Sequence, residues 1–199
     1  KKIITSGDGG MIVTKHKYLE RTIKSMRWCG IEKDTWSRNK NIFKNKIIDY
    51  SWYYEVSILG YKYNMNDLSA AIVRSQLKRF KSLSIKRKKL LDLYINKIKK
   101  IGMELLLPYQ TYKSSYWLMG IRHKHRDTLM NFLNKNKIST GVHYLPLSKH
   151  PLFRKFNKDL PVTNKIWKEI VTLPLHTNMT FENVNYIVRC LKKFKNLKI

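Results

Sequence analysis

A long, continuous helical pattern is the sequence feature that most constrains the fold of this chain. The pattern begins at the pair Asn66–Asp67, which is typical of a helix N-cap, and it ends at Gly102, a natural helix stop. Apolar residues recur along one face, at Leu68, Ala71, Ile72, Leu77, Phe80, Ile85, Leu91, Ile95 and Ile98. The sequence therefore predicts one long helix between residues 1–66 and residues 103–199, with these apolar residues along one curving face.

Strand and helix patterns alternate in the remaining segments. Short apolar runs predict strands at 10–14, 116–122 and 140–144. Apolar residues at helical spacing predict helices at 15–28, 126–136, 163–171 and 180–194. The last of these has Thr180 as its N-cap. This alternation, in a chain of 199 residues with 43% hydrophobic residues, predicts an α/β fold with a sizeable core.

Composition also indicates where the protein resides. Cys29 and Cys190 lie far apart in the sequence and are typical of reduced cysteines in a cytoplasmic protein, with a disulfide between them as the less favoured alternative. No apolar run is long enough to cross a bilayer, so no membrane partner is expected. The histidines at 143, 150 and 176 match no metal-ligand spacing, so no metal site is predicted.

The charge of the chain leaves two interpretations. Lys and Arg total 41 against 13 Asp and Glu, a formal net charge of +28. Such an excess is typical of proteins that bind nucleic acid or another polyanion. The alternative is compositional drift combined with an anionic small substrate, because lysines recur on every segment instead of one. We favour the second interpretation, since the sequence contains no recognition-helix motif, RNA-binding aromatic signature or zinc finger.

A glycine-rich segment, TSGDGG at residues 5–10, stands close to the first residue of the chain. Its glycines permit a tight turn, and Asp8 can accept hydrogen bonds from backbone amides in such a turn. It is not a P-loop, because no Gly-Lys-Ser/Thr follows. By itself the motif predicts only a turn, and its interest comes from its distance to Lys2.

The segment KIITSGDGGMIVT, residues 2–14, resembles the lysine segment of the DegT/DnrJ/EryC1/StrS family of sugar aminotransferases, fold-type I enzymes that use pyridoxal 5'-phosphate (PLP). Lys2 occupies the position of the lysine that bonds to PLP, whereas Lys1 is one residue out of register. Three further blocks resemble the family in the same order: GYKYNMNDLSAAIVRSQL at 60–77, GVHYLPLSKHPLF at 141–153, and 173–191 with its LPLH and MT motifs. The resemblance spans essentially the whole chain.

This resemblance implies a set of site residues. Lys2 would be the catalytic lysine, because a lysine amine can both tether the cofactor and move a proton. In the family an Asn of the second block reaches the PLP phosphate of the neighbouring subunit, which implies a homodimer. That position is Lys62 here, and the family's Arg is Asn64; both remain donors for phosphate. His143 lies in a stretch that borders the sugar-nucleotide pocket in relatives, although it is equally a candidate packing residue.

Residues 29–59 show no clean period and contain several aromatic residues. A loop of this length is usually functional or interfacial, so we expect it to set substrate selectivity, with Trp36 as the candidate residue. The resemblance further implies that residues 1–66 complete the large PLP-binding domain. Residues 67–102 would be an interdomain helix, and residues 103–199 the small C-terminal α/β domain.

The expected function is transfer of an amino group, with glutamate as donor, to a nucleotide-linked keto-sugar in polysaccharide or glycan precursor biosynthesis. The first Met is Met11, and we expect the sequence to begin inside a longer protein, so that this fragment alone has little activity. Two alternatives stay open. One is a basic module that binds nucleic acid or another polyanion, and the other is a non-catalytic remnant that only dimerises.

Overall fold

The computed structural model describes residues 3–32, 54–106, 115–156 and 158–197. The chain divides into two compact units, Ile4–Gln76 (the N-terminal unit) and one containing Leu77–Ile199 (the C-terminal unit). The described helices and strands are α1 (Lys17–Met26), α2 (Asp67–Lys100), β1 (Glu104–Leu105), β2 (Met119–Arg122), α3 (Arg126–Lys135), α4 (Pro161–Glu169), β3 (Ile170–Leu173) and α5 (Phe181–Lys195). Two short 3-10 helices cover Leu147–Lys149 and Pro151–Phe156.

The predicted long helix is confirmed as α2, which is 34 residues long. At its first turn the Asn66 side chain accepts a hydrogen bond from the Ser69 amide at 2.8 Å, as an N-cap does. After its last turn Gly102 has a φ of +66°, which a residue with a Cβ rarely adopts. The same local signals that predicted the two ends of the helix therefore form them. The boundary between the two units falls inside α2, and the predicted domain limits at 66 and 102 stay a prediction.

Burial along α2 is uneven. The residues near its C-terminal end, including Leu91, Tyr94 and Ile98, are fully buried in the core of the C-terminal unit. On the predicted apolar face, Leu68 is 80% exposed and Ile85 is 49% exposed. Within the described residues, the shared apolar face is therefore buried only toward the C-terminal end of the helix. Periodicity fixes which residues share a face, but tertiary packing decides which part of that face is covered.

The core of the C-terminal unit lies between a small sheet and three helices. In the described residues the sheet has the order β1-β2-β3, with both pairs antiparallel. Ile121 of β2 lies between Leu105 of β1 and Val171 of β3. Periodicity placed Leu129, Phe132 and Leu133 of α3 and Val184, Ile187, Val188 and Leu191 of α5 on inward faces. All of them are buried except Phe132, which is half-buried and packs against the core. The Thr180 cap of α5 is confirmed as a capping box with Asn183.

Two buried polar side chains attach α2 to the segments around the sheet. The Arg87 guanidinium donates to the carbonyl oxygens of Tyr116 at 2.9 Å and Trp117 at 2.7 Å, just before β2. The Tyr94 hydroxyl donates to the carbonyl of Pro174 at 3.0 Å, just after β3. Burial lowers the pKa of Arg87 and raises the pKa of Tyr94 above its usual range. Both side chains thus meet the rule that buried polar groups are hydrogen-bonded.

Three strand or helix predictions need correction. Residues 10–14 form no strand, since no described strand lies beside them to pair with. The side chains of Met11, Ile12 and Val13 are exposed. The strand predicted at 140–144 is a single antiparallel bridge between Gly141 and Thr172. The helix predicted to 171 ends at Glu169, and the β-branched run that follows pairs with β2 as β3.

None of the helices in the described ranges is long and apolar enough to span a membrane. Cys29 is exposed, Cys190 is buried, and both are free thiols.

Candidate functional site

The glycine-rich segment forms the predicted turn in the N-terminal unit. Gly7 and Gly9 have φ values of +91° and +122°, which only glycine adopts without strain. The Thr5 hydroxyl oxygen accepts a hydrogen bond from the Gly7 amide at 3.0 Å, and the Ser6 hydroxyl donates to the carbonyl of Asp8. The Thr5 amide in turn donates to the side-chain oxygen of Gln76 at 3.1 Å. The turn is therefore fixed by its own hydroxyls and by one contact to α2.

Gly9 also lets this turn approach the segment that precedes α2. A Cβ placed on Gly9 would lie 3.1 Å from the Ser6 hydroxyl oxygen and 3.2 Å from the Met65 terminal methyl carbon. Met65 directly follows Asn64, one of the two predicted phosphate-binding residues. The structure thus brings the glycine turn and the segment of Lys62 and Asn64 into the same part of the N-terminal unit.

The segment of Lys62 pairs with the chain that leaves α1. Trp28 and Lys62 form an antiparallel bridge. Three main-chain hydrogen bonds flank the bridge: Cys29 N to Tyr61 O (3.0 Å), Tyr61 N to Met26 O (2.7 Å) and Tyr63 N to Arg27 O (2.9 Å). Lys62 therefore lies on a backbone that is held on both sides by hydrogen bonds.

Two glycines make this close pairing possible. A Cβ on Gly60 would lie 2.0 Å from the amide nitrogen of Gly30, and a Cβ on Gly30 would lie 1.8 Å from the carbonyl oxygen of Ile58. Real Cβ atoms essentially never approach backbone atoms below 3.0 Å. Gly30 also has a φ of +78°. The two chain segments can therefore cross here only because neither position carries a side chain.

Lys62 places its ammonium on an aromatic surface. The Lys62 Nζ lies 3.2 Å from the centroid of the Trp28 ring. The rings of Tyr61 and Tyr63 stack with centroids 5.1 Å apart and planes inclined by 11°. The Lys62 side chain is exposed and Asn64 is half-buried. The sequence analysis named Lys62 and Asn64 but missed Trp28, because no local pattern relates a Trp to a lysine on another segment.

The donors of this segment suit a phosphate group. Lys62 offers an ammonium with three N–H donors, and Asn64 offers an amide NH₂. Residues 60–66 contain no acidic side chain to repel an anion. The donor set therefore fits the phosphate of a cofactor such as PLP. The predicted catalytic residue Lys2 and the predicted selectivity residue Trp36 both lie outside the described residues.

His143 belongs to the C-terminal unit, where it makes packing contacts. Its Nδ1 lies 2.9 Å from the Thr172 hydroxyl, and its ring meets Tyr144 and Trp117 edge-on at 4.7 and 6.3 Å between centroids. These contacts support the packing interpretation of His143. Its place beside a sugar pocket stays a prediction.

The C-terminal unit has charged cavities that the sequence analysis did not single out. One, of about 590 Å³, is lined by Ser148, Lys149, Arg154, Lys158, Asp159 and Asn164. Another, of about 390 Å³, contains Arg122, whose guanidinium binds Glu169 through two nitrogens and also pairs with Glu104. The hydrogen bond to Glu169 raises the pKa of Arg122. Within the described ranges no group of three or more His, Cys, Asp or Glu side chains could hold a metal ion.

Comparison with known proteins places these features in a family. The sequence profile of the DegT/DnrJ/EryC1/StrS aminotransferase family matches residues 1–192. An uncharacterised protein of Methanocaldococcus jannaschii is 32% identical over 203 aligned positions, which cover 96% of this chain and 51% of that protein. The spore coat polysaccharide biosynthesis protein SpsC of Bacillus subtilis is 26% identical, over 96% of this chain and 50% of its own length.

A solved structure shares the fold. The putative sugar aminotransferase Spr1654 of Streptococcus pneumoniae, in its pyridoxamine phosphate form, superposes with a TM-score of 0.77 at 26% identity. The match covers 92% of this chain and 46% of that chain. The predicted fold class, that of fold-type I PLP aminotransferases, is confirmed. This chain spans about half the length of the curated relatives that it matches.

Proposed function

This chain belongs to the DegT/DnrJ/EryC1/StrS aminotransferase family, and on that premise we propose that it forms part of a PLP-dependent sugar aminotransferase. The family is PLP-dependent. The observation that carries the proposal is the family match over residues 1–192, which includes the lysine segment, the glycine turn and the Lys62 segment. Because the chain spans about half of its relatives, the activity is proposed for the longer enzyme, and little is expected of these 199 residues alone.

Lys2 would hold the cofactor and move the proton. PLP, when bound, supplies an aldehyde that reacts with amines and a ring system that accepts electrons. The Lys2 amine would tether the cofactor until an amino donor displaces it. The freed Nζ would then carry a proton away from the donor carbon and return one to the acceptor carbon in the second half of the reaction.

Lys62 and Asn64 would bind the phosphate of PLP through their N–H donors. A charge-assisted hydrogen bond from an ammonium to phosphate is stronger than a neutral one, so Lys62 would contribute more than Asn64. In the family this position serves the neighbouring subunit, and we therefore propose a homodimer. His143 and Trp36 are proposed to border the sugar substrate. The proposed domain arrangement has residues 1–66 in the large PLP-binding domain, residues 67–102 as an interdomain helix and residues 103–199 as the small C-terminal domain.

The proposed substrates are a nucleotide-linked keto-sugar and glutamate. The relatives support a sugar: one acts in spore coat polysaccharide biosynthesis, and another is a putative sugar aminotransferase. A diphosphate-bearing substrate suits the net charge of +28. A cytoplasmic location is proposed, since nucleotide-linked precursors are made there. Family membership favours this function over a nucleic-acid-binding module.

The proposal is tested by a half-reaction. The PLP-loaded enzyme is mixed with L-glutamate, and 2-oxoglutarate is quantified against the concentration of enzyme. We expect one equivalent of 2-oxoglutarate, and a nucleotide-linked keto-sugar added afterwards should gain the amino group. The control is Lys2→Ala, which should release none. A PLP-loaded enzyme that forms no oxo-acid from any amino donor would contradict the proposed function.

A further inference from the structure

We propose that Trp28 is a positioning residue that holds the Lys62 ammonium in place for a phosphate group. The inference rests on the proposed function for the identity of the phosphate, which is that of PLP. It adds a residue that no sequence pattern connected with the site.

The geometry of the pair is that of a close cation–π interaction. The Lys62 Nζ lies 3.2 Å from the centroid of the Trp28 ring, well inside the distance of about 6 Å at which such pairs attract. Trp is the aromatic residue with the strongest attraction for a cation. The ring itself is half-buried, and its backbone is fixed by the bridge to Lys62. The indole therefore offers a fixed platform, and the lysine lies across it.

Lys62 needs such a platform because its side chain is long and exposed. A free lysine side chain populates many rotamers, and an anion that binds it must stop that motion. By resemblance the family has a shorter Asn here, so the replacement adds reach and charge but also freedom. Contact with Trp28 restricts the conformations of the Lys62 side chain before any ligand binds. Less conformational entropy is then lost on binding, which is the advantage of preorganisation.

Contact with the ring leaves the ammonium able to bind phosphate. An ammonium has three N–H donors, and an aromatic face covers only one side of it. Within the described residues, no ion pair joins Lys62 to a carboxylate. Residues 60–66 contain no Asp or Glu. The ring attracts the cation without neutralising it. The arrangement thus presents a full positive charge in a defined position.

The first measurement tests the contact itself. By NMR, the ε-methylene protons of Lys62 should resonate upfield of those of other lysines, because they lie over the indole ring. The upfield shift should vanish in Trp28→Leu and persist in Trp28→Phe. An unshifted Lys62 signal in the parent protein would overturn the inference.

The second measurement compares PLP with pyridoxal, which has the aldehyde but lacks the phosphate. In the PLP-binding enzyme, Lys62→Met should lower the affinity for PLP about tenfold or more. Trp28→Leu should weaken it about two- to fivefold, and Trp28→Phe should largely restore it. Pyridoxal affinity should stay unchanged in all three variants. The matched control is Lys149→Met, which removes a lysine lying 5.1 Å from the Trp167 ring in the C-terminal unit and should leave PLP affinity unchanged.

Two negative outcomes differ in what they contradict. If the parent enzyme binds PLP and Trp28→Leu binds it equally well, or loses PLP and pyridoxal to the same extent, Trp28 does not position Lys62 and the function stands. If the parent enzyme does not bind PLP, the proposed function fails and this inference fails with it. The double variant gives a further test. If adding Trp28→Leu to Lys62→Met lowers PLP affinity below that of Lys62→Met alone, the inference is contradicted, since a positioning residue acts only through its partner.

Discussion

Replacement of Gly60 by Ala is the sharpest test of how the Lys62 segment is held. The new Cβ would lie 2.0 Å from the Gly30 amide nitrogen, whereas ordinary contact distances start at 3.4 Å. The crossing segments would therefore have to separate by more than 1 Å, since 3.4 minus 2.0 is 1.4 Å. The atoms that the new Cβ would meet, in Cys29 and Gly30, belong to the backbone, so no side chain can rotate away to relieve the clash.

The expected cost follows from the hydrogen bonds that such a separation breaks. They are Cys29 N to Tyr61 O, Tyr61 N to Met26 O and Ser57 N to Gly30 O. Each contributes about 0.5–1.5 kcal/mol, so Gly60→Ala should destabilise the crossing by about 1.5–4.5 kcal/mol. Native-state hydrogen exchange of the Cys29 and Tyr61 amides should then be faster by about tenfold to a thousandfold.

Gly10→Ala is the matched control, because a Cβ there would meet no atom within 4 Å and its φ is not positive. It should leave exchange at Cys29 and Tyr61 unchanged. Amides of the C-terminal core, such as that of Leu91, should be unaffected in both variants. Unchanged protection of Cys29 and Tyr61 in Gly60→Ala would refute the reasoning, because it would mean that the two glycines do not approach as closely as described.

Three further predictions concern the C-terminal unit. Arg87→Met should lower the free energy of unfolding, measured in urea, by about 2–4 kcal/mol because it removes two charge-assisted hydrogen bonds. The control is Arg79→Met, at an exposed position, which should change it by less than about 0.5 kcal/mol. Equal effects of the two substitutions would contradict the role of Arg87. Burial raises the pKa of Tyr94 in the folded protein above its ordinary 10.0. The neutral Tyr94 hydroxyl therefore contributes fully to the free energy of unfolding below pH 10, and this contribution falls by up to about 1.4 kcal/mol per pH unit as the pH rises further. Urea titrations from pH 9 to pH 11 should show that Tyr94→Phe lacks this component, and identical pH profiles would refute it. Thr180→Ala should cost about 1 kcal/mol through loss of the capping box, whereas Thr180→Ser should be near neutral in the same assay.

Local signals predicted the helices well. Asn66 and Thr180 cap helices because their side-chain oxygens reach backbone amides three residues on, a contact that needs no other part of the chain. Gly102 ends α2 for an equally local reason, its positive φ. The inward faces of α3 and α5 followed from periodicity, since each of these helices buries one stripe.

Features that depend on distant partners were predicted poorly. The apolar run at Met11–Val13 has strand composition, but a strand also requires a neighbour to pair with, and sequence alone does not supply one. Ile170 and Val171 continued a helical pattern, yet they pair with β2 because an antiparallel partner competes for them. The contact of Trp28 with Lys62 depends on a crossing at Gly30 and Gly60 that no local pattern encodes.

For the site, the resemblance named Lys62 and Asn64 as phosphate-binding residues, and the structure adds that Met65 of the same segment lies beside Gly9. It gave no information on what orients Lys62, because the family carries a different residue there. His143 shows the opposite limit. A histidine in a motif is compatible with ligand contact and with packing, and its contacts with Thr172, Tyr144 and Trp117 in the structure favour packing.

The central claim is that Lys2 is the residue that bonds to PLP, and reduction with borohydride tests it most directly. The PLP-loaded enzyme is reduced, digested and analysed by mass spectrometry, with Lys1 as an internal control one residue away. The account predicts a phosphopyridoxyl group on Lys2, an unmodified Lys1 and no label in Lys2→Ala. A label on Lys1 or on any other lysine, or reduction that leaves Lys2 unmodified in an enzyme that retains PLP, would contradict it.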